Sequence, residues 1–173
     1  MNIALIGYGS MGKMVEAKAR ERGHSIVTVV NEHHSGLDAD ALADSLRASE
    51  VAIDFTAAEA VRRNVAACMA AGVPLVEGTT GWNGEIDVVR NLVESNNGGL
   101  VYGANFSVGV NLFYRIVENA ARLLAKFPEY EVFIEEQHHS KKKDAPSGTA
   151  LEIKHRVGKH FDKGFSVSWT RAG

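Results

Sequence analysis

The chain has 173 residues, 45% of them hydrophobic, which is enough for one complete domain and part of a second. Its formal net charge of −2 argues against nucleic acid or an anionic membrane as a general partner. The sequence contains no run of about 18 consecutive apolar residues, the length that a helix needs to span a bilayer. Cys68 is the single cysteine, which excludes an internal disulfide, and its apolar neighbours predict a buried position on a helix.

A glycine-rich turn follows the first predicted strand. Residues 2–6 are mainly apolar and run directly into a GxGxxG pattern at 7–12, and a helix is predicted from residue 11 to about residue 22. In this context the first glycine permits a tight turn, the second lets a pyrophosphate approach the backbone, and the third lets helix and strand pack closely. Residues 25–30 supply the next strand, so the segment is predicted to be a βαβ unit that binds a dinucleotide.

The end of that second strand determines which dinucleotide is preferred. A carboxylate there binds the ribose 2′-hydroxyl of NAD, whereas an arginine accommodates the 2′-phosphate of NADP. Glu32 favours NADH, but Asn31 and the neighbouring His33 and His34 repel a phosphate less than two carboxylates would. We expect NADH or NADPH as the cofactor, with a slight preference for NADH.

Strands and helices continue to alternate along the chain. Further strands are predicted at 51–55, 74–77 and 100–102, with helices at 57–71 and 83–97. This alternation predicts an α/β fold, a Rossmann-type doubly wound parallel sheet, whose ligands lie beyond the carboxyl ends of the strands. We assign residues 1–107 to a dinucleotide-binding domain. Small or hydrogen-bonding residues occupy its other strand ends: Phe55-Thr56, Gly78-Thr79-Thr80-Gly81 and Ala104-Asn105-Phe106-Ser107.

The remaining residues, 108–173, are predicted to form an incomplete α+β substrate-binding domain. Its predicted elements are a helix from 110 to about 126, a strand at 130–134, a helix that starts near Ser147, and a strand at 165–170.

The segment 135–150 of this domain concentrates chemically active residues. His138 and His139 can exchange protons near neutral pH, and Lys142 supplies fixed positive charge. Ser147 is a predicted N-cap, which would leave the amides of the next three residues, Gly148, Thr149 and Ala150, free to face an anion. These features predict a site for a small dianionic substrate that needs a proton. No metal is expected, because adjacent histidines rarely converge on one ion without further ligands.

Together these motifs resemble one family, the 4-hydroxy-tetrahydrodipicolinate reductases, or dihydrodipicolinate reductases, of bacterial lysine and diaminopimelate biosynthesis. The resemblance runs from Asn2 to Gly173 and depends above all on the order His-His…Lys…Asp-Ala-Pro-Ser-Gly-Thr between His138 and Thr149. It implies a cytoplasmic, NADH- or NADPH-dependent oxidoreductase that reduces 4-hydroxy-tetrahydrodipicolinate to tetrahydrodipicolinate. It also implies a homotetramer with a small dicarboxylate as substrate.

The resemblance implies a role for each motif residue. His138 would donate the proton and Lys142 would be the catalytic lysine. Substrate binding would fall to the loop and the helix start: His139, Lys142, Ser147, Gly148 and Thr149. Taken with the strand ends above, the predicted cofactor-binding residues are Gly7, Tyr8, Gly9, Ser10, Met11, Gly12, Asn31, Glu32, Gly78, Thr79, Thr80, Ala104, Asn105 and Phe106.

Two alternatives to an active reductase stay open. One is another two-domain Rossmann oxidoreductase, such as an amino-acid or semialdehyde dehydrogenase. The other is a dinucleotide-binding fragment without catalytic activity, because family members extend well beyond the length of this chain and we expect it to be truncated at the C-terminus. A substrate domain without its remaining strands is expected to expose a sheet edge and an apolar face.

Overall fold

A five-stranded parallel sheet forms the centre of the first of two units. The computed structural model describes all residues, 1–173, and divides them into the units Met1–Phe106 and Ser107–Gly173. The strand order is β2-β1-β3-β4-β5 and every neighbouring pair is parallel. The strands of this sheet are β1 (Asn2–Ile6), β2 (Ser25–Val30), β3 (Val51–Asp54), β4 (Leu75–Glu77) and β5 (Leu100–Tyr102).

Helices cover both faces of this sheet. Ile3 and Leu5 pack with Ala19 on one face, whereas Ala4 and Ile6 belong to the larger core on the other. β1 is therefore buried on both sides, as expected for a central parallel strand, and the predicted α/β fold is confirmed. The helices of this unit are α1 (Ser10–Glu21), α2 (Ala39–Leu46), α3 (Ala58–Ala71) and α4 (Ile86–Ser95), with single 3₁₀ turns at Glu32–His34 and Asn83–Glu85.

Helix α2 was not predicted from the sequence, because its eight residues are too few to show a clear helical period. Asp38 caps it by accepting a hydrogen bond from the Ala41 amide (2.9 Å). Its stability comes from packing, since Leu42 and Leu46 are fully buried in the larger core. The single helix predicted at 83–97 is also corrected, to a 3₁₀ turn followed by α4.

The second unit contains two helices and a pair of parallel strands. Helix α6 (Gly148–Gly158) connects β6 (Ile134–His138) to β7 (Val167–Arg171), and Ile134 pairs with Val167 and His138 with Arg171. The predicted strand at 130–134 is wrong: the Tyr130 amide bonds to the carbonyl of Phe127, which makes a turn there. The strand lies four residues later because the segment 134–138 is the one that finds a partner in β7.

Helix α5 (Val108–Leu124) leaves much of its apolar surface exposed. Ile116 is 66% exposed and Leu112 is 54% exposed, and Phe133 beyond the helix is 69% exposed. At 17 residues α5 is the longest helix, and no helix combines the length and hydrophobicity that a membrane span requires.

Candidate active site

The glycine loop after β1 has the geometry that close approach of a pyrophosphate requires. Gly7 has φ +91°, and a Cβ there would lie 2.3 Å from the carbonyl oxygen of Phe55. A Cβ on Gly12 would lie 2.2 Å from the carbonyl oxygen of Gly7. A Cβ on Gly9, in contrast, would meet no atom within 4 Å. The first and third glycines are therefore required by the packing of the protein itself, whereas Gly9 borders open space.

The start of helix α1 is suited to an anion. Gly9 occupies the N-cap position and offers no side-chain hydrogen bond, and the first turn contains no acidic residue. Ser10 and Met11 are exposed, so the backbone amides of this turn and the positive end of the helix dipole remain available. These residues fit the pyrophosphate of a dinucleotide.

The end of β2 separates the roles of Asn31 and Glu32. The Asn31 Oδ1 atom accepts a hydrogen bond from the His33 amide (3.1 Å) and lies 3.0 Å from Nδ1 of His34, so this side chain caps the 3₁₀ turn. Glu32 is exposed. Glu32 is therefore the free carboxylate at the position where a ribose hydroxyl would be recognised.

A buried polar network joins the ends of β3 and β4. The Thr56 amide donates to the Thr79 hydroxyl (2.9 Å), and the Thr79 amide donates to Oε1 of Glu77 (2.6 Å). Asn64 donates to Asp54 (2.7 Å), and Asp54, Asn64 and Glu77 are all inaccessible to solvent. The network thus determines the backbone position of Thr79, a predicted cofactor-binding residue.

The two buried carboxyl groups of this network both have raised pKa values. Burial, and then the charge of Asp54, raise the pKa of Glu77 to about 8, and burial also raises the pKa of Asp54. The Oε2 atom of Glu77 is buried and has no hydrogen-bond partner, and a hydrogen bond between the two carboxyl groups requires that one of them be protonated. Hydrogen bonds from Asn64 and Thr79 favour the ionised form of Asp54, which leaves the proton on Glu77.

Sequence reasoning did not identify Asp54, Asn64 or Glu77 as site residues. The sequence feature that could have indicated the two carboxylates is an acidic residue at the end of each of two apolar strands, Asp54 in β3 and Glu77 in β4. Close packing is found beside the network as well, since a Cβ on Gly78 would lie 2.2 Å from the Phe55 ring. Thr80 is exposed, in contrast to the buried Thr79.

The end of β5 carries Ala104, Asn105 and Phe106. The Phe106 ring packs over Gly103, where a Cβ would lie 3.1 Å from Cζ, and the ring is 47% exposed. Ala104 is also exposed, whereas Asn105 is half-buried. Among the predicted strand ends of this unit, those of β1, β3 and β4 are in direct contact through Phe55 and Thr56.

In the second unit the predicted proton donor lies at a strand end. His138 is the last residue of β6, its Nδ1 atom is buried, and the side chain as a whole is 34% exposed. His139 follows and is exposed. The Lys142 Nζ atom lies 2.8 Å from Oδ1 of Asp144, and this hydrogen bond is the main reason that the pKa of Asp144 is lowered.

The start of helix α6 differs from the prediction in its amides. Ser147 is the N-cap, and its Oγ atom accepts a hydrogen bond from the Ala150 amide (3.2 Å). The Gly148 amide donates to Oδ2 of Asp144 (3.3 Å). Two of the three amides predicted to face an anion therefore already have acceptors within the chain, because the cap and a nearby carboxylate satisfy them, and Thr149 provides the third.

Glu136 and Arg171 complete the site in the second unit, although the sequence analysis assigned them no role. The Glu136 carboxylate accepts hydrogen bonds from the Ser147 amide (2.8 Å), from the Ser147 hydroxyl, and from Nη2 of Arg171 (2.8 Å). It also lies 3.4 Å from Nδ1 of His138. The available signal was the two-residue spacing of Glu136 and His138, which places both side chains on the same face of a strand.

No group of three or more His, Cys, Asp or Glu side chains is arranged to hold a metal ion. Some charged groups of the second unit form ion pairs, such as Lys142 with Asp144 and Arg171 with Glu136. A histidine such as His138 can transfer a proton, and Lys142 and Arg171 carry positive charge that can attract anionic groups.

Comparisons with known proteins cover the whole chain. The family model described as "Dihydrodipicolinate reductase, N-terminus" matches residues 1–106, and the one described as "Dihydrodipicolinate reductase, C-terminus" matches residues 109–173. A 4-hydroxy-tetrahydrodipicolinate reductase of Christiangramia forsetii is 36% identical over 160 residues, which are 91% of this chain and 64% of that protein. A protein of the same name from Natronomonas pharaonis is 36% identical over 180 residues, which are 100% of this chain and 71% of that protein. The chain thus spans about two thirds of the length of these relatives.

A solved structure supports the fold. The dihydrodipicolinate reductase of Paenisporosarcina sp. TG-14, with dipicolinate bound, aligns with a TM-score of 0.76 at 22% identity, over 99% of this chain and 78% of that chain. The resemblance predicted from the residues is confirmed by the two family models, which together cover nearly every position. The chain belongs to the dihydrodipicolinate reductase family.

Proposed function

We propose that this chain catalyses the NADH- or NADPH-dependent reduction of 4-hydroxy-tetrahydrodipicolinate to tetrahydrodipicolinate, in the cytoplasm, for lysine and diaminopimelate biosynthesis. The observation that carries the proposal is the convergence of His138 and Ser147 on one carboxylate, that of Glu136. His138, the proposed proton donor, and Ser147, at the helix start where we propose that substrate binds, thus both contact Glu136. Support comes from the relatives named as this reductase and from the glycine loop of the first unit.

The first unit is proposed to bind the cofactor. Gly9 and the first-turn amides of Ser10 and Met11 would hold the pyrophosphate, and Glu32 would contact the ribose. Thr79, whose position depends on the buried carboxyl pair, would lie at the nicotinamide end with Gly78, Thr80 and the segment Ala104-Asn105-Phe106. When bound, the cofactor supplies a hydride.

The second unit is proposed to bind the substrate and supply the proton. His138 donates a proton after the hydride has added to the electron-poor carbon of the substrate, and Lys142 stabilises the negative charge that develops. His139, Gly148 and Thr149 would bind the carboxylates, and Ser147, whose amide and hydroxyl both donate to Glu136, would hold the helix start in place. A dicarboxylate suits this site because the solved relative from Paenisporosarcina has dipicolinate, itself a dicarboxylate, bound. Because Asp144 now accepts from the Gly148 amide, a substrate carboxylate would replace it there.

The test is cofactor oxidation by the 173-residue chain. Substrate is generated in the cuvette from pyruvate and aspartate semialdehyde by the preceding synthase, and the loss of NADH or NADPH absorbance is recorded. His138→Gln is expected to lose about 10²–10⁴-fold in turnover. His155→Gln, an exposed histidine on α6, serves as the matched control and is expected to keep wild-type turnover.

The alternatives give different results in the same assay. A non-catalytic fragment binds NADH in a calorimeter but shows no substrate-dependent oxidation. Another Rossmann dehydrogenase oxidises NADH with a different carbonyl substrate, and its activity survives His138→Gln. Sedimentation of the same sample tests the homotetramer that the family resemblance implies.

A further inference from the structure

The Glu136 carboxylate lies at the centre of the second unit's polar groups. Its side chain is only 10% exposed, and it contacts His138, Ser147 and Arg171, which come from the end of β6, the start of α6 and the end of β7. Burial disfavours its charge, but hydrogen bonds from Ser147 and Arg171 outweigh burial and hold the pKa of Glu136 at about 2. The group is therefore a fixed anion in the pH range in which a histidine exchanges protons.

The two ring nitrogens of His138 have different surroundings. The Nδ1 atom is buried, makes no hydrogen bond of good geometry, and has the Glu136 Oε2 atom 3.4 Å away. A small rotation of the ring would turn this contact into a charge-assisted hydrogen bond. Because a third of the side chain is exposed while Nδ1 is not, the opposite edge of the ring, which carries Nε2, faces outward.

We propose that Glu136 is a positioning residue for His138: it accepts the Nδ1–H of the ring and so leaves Nε2 as the site of proton transfer. This inference rests on the proposed function for its role in turnover. The proton balance is simple, because the imidazolium gives its Nε2 proton to the reduced substrate and the neutral ring keeps Nδ1–H on Glu136. A carboxylate that holds one ring nitrogen fixes both the tautomer and the orientation of the ring.

Arg171 and Ser147 fix the carboxylate in turn. Arg171 donates through Nη2 to Glu136 (2.8 Å) and also to the carbonyl oxygen of Asp144 (2.7 Å). Asp144 is the partner of Lys142. His138 and Lys142 are thus connected through Glu136, Arg171 and Asp144. A shift of Glu136 would affect His138 directly and Lys142 only through Arg171.

The tautomer of His138 tests the proposal without any turnover. The chain is prepared with ¹⁵N-labelled histidine, and long-range ¹H–¹⁵N spectra are recorded with the rings in their neutral form. The His138 signals are assigned by their loss in His138→Gln. Free histidine prefers the Nε2–H tautomer, so Nδ1–H at His138 in the wild-type chain supports the proposal, and Nε2–H there overturns it.

Variants separate positioning from a merely structural role. In Glu136→Gln the amide nitrogen faces Nδ1, so His138 is expected to shift to Nε2–H, whereas Glu135→Gln, on the exposed face of the same strand, is expected to keep Nδ1–H. If the chain is active, Glu136→Gln is expected to lower kcat by about 10- to 100-fold and to change KM less. This loss is smaller than that from removing the general acid itself, because His138 would still be present. An unchanged tautomer, or wild-type kcat in Glu136→Gln, would overturn the proposal. If the chain has no activity, the proposed function is refuted, but the wild-type spectrum still shows which tautomer His138 adopts and so still tests the positioning role of Glu136.

Discussion

Replacing Glu77 by glutamine tests the buried carboxyl pair of the first unit. Glutamine keeps the shape of the side chain, and its amide resembles the protonated carboxyl group: Oε1 still accepts from the Thr79 amide and the nitrogen donates to Asp54. The variant cannot ionise. We therefore expect Glu77→Gln to remove a pH dependence of stability while it preserves the fold.

The size of the effect follows from the pKa of Glu77, which rises from 4.5 to about 8 on folding. A folded-state pKa above the unfolded value means that the native chain holds the proton more tightly, so this stabilisation is complete below about pH 4.5 and is lost as pH rises through about 8. Each tenfold change in proton affinity is worth about 1.4 kcal/mol, which gives an upper limit of about 5 kcal/mol. Because the pKa of Asp54 is raised as well, we expect the wild-type chain to lose about 1–3 kcal/mol between about pH 6 and about pH 9 relative to Glu77→Gln.

The measurement is urea unfolding at the two pH values. Trp82 is 4% exposed and lies in the first unit, so its fluorescence in a Trp169→Phe background reports on that unit alone. Glu94→Gln, an exposed carboxylate on α4, is the control and should follow the wild-type chain. If wild-type and Glu77→Gln lose the same free energy of unfolding between the two pH values, the raised pKa of Glu77 is refuted.

Four further predictions concern two glycines of the glycine loop, the cysteine and the helix cap. Gly12→Ala is expected to destabilise the first unit by about 3 kcal/mol, because a Cβ there would lie 2.2 Å from the Gly7 oxygen. Gly9→Ala is expected to keep wild-type stability and to weaken NADH binding about tenfold; equal NADH affinity would contradict the assigned site. Burial raises the pKa of Cys68 to about 12, so a thiol reagent at about pH 8 should label it only after unfolding. Ser147→Ala is expected to lower the stability of the second unit by about 1–2 kcal/mol, because the Ala150 amide loses the Ser147 hydroxyl as its acceptor. Stability is measured by urea unfolding, and an unchanged midpoint would show that the cap contributes nothing.

Local features of the sequence were sufficient for most of the first unit. Apolar runs bounded by glycine predict β1, β2 and β5, and Gly72 ends α3 in the left-handed region with φ +68°. The glycine loop was predictable for the same reason, since only glycine permits the backbone of Gly7 and the packing of Gly12. The N-cap at Ser147 was likewise predictable, because a cap depends on residues within one turn.

Contacts between distant parts of the chain decided the rest. The strand β6 lies at Ile134–His138 because β7 pairs with it, and no pattern within residues 130–138 indicates that register. Asp54 raises the pKa of Glu77 only because β3 and β4 are neighbours in the sheet. Glu136 and Arg171 are 35 residues apart and meet because parallel pairing aligns the ends of their strands. The sequence by itself therefore determined the family and the α/β fold, and it predicted the residues that we propose to carry the chemistry. Only the tertiary structure decided which carboxylates hold those residues in place, because that depends on which strands pair.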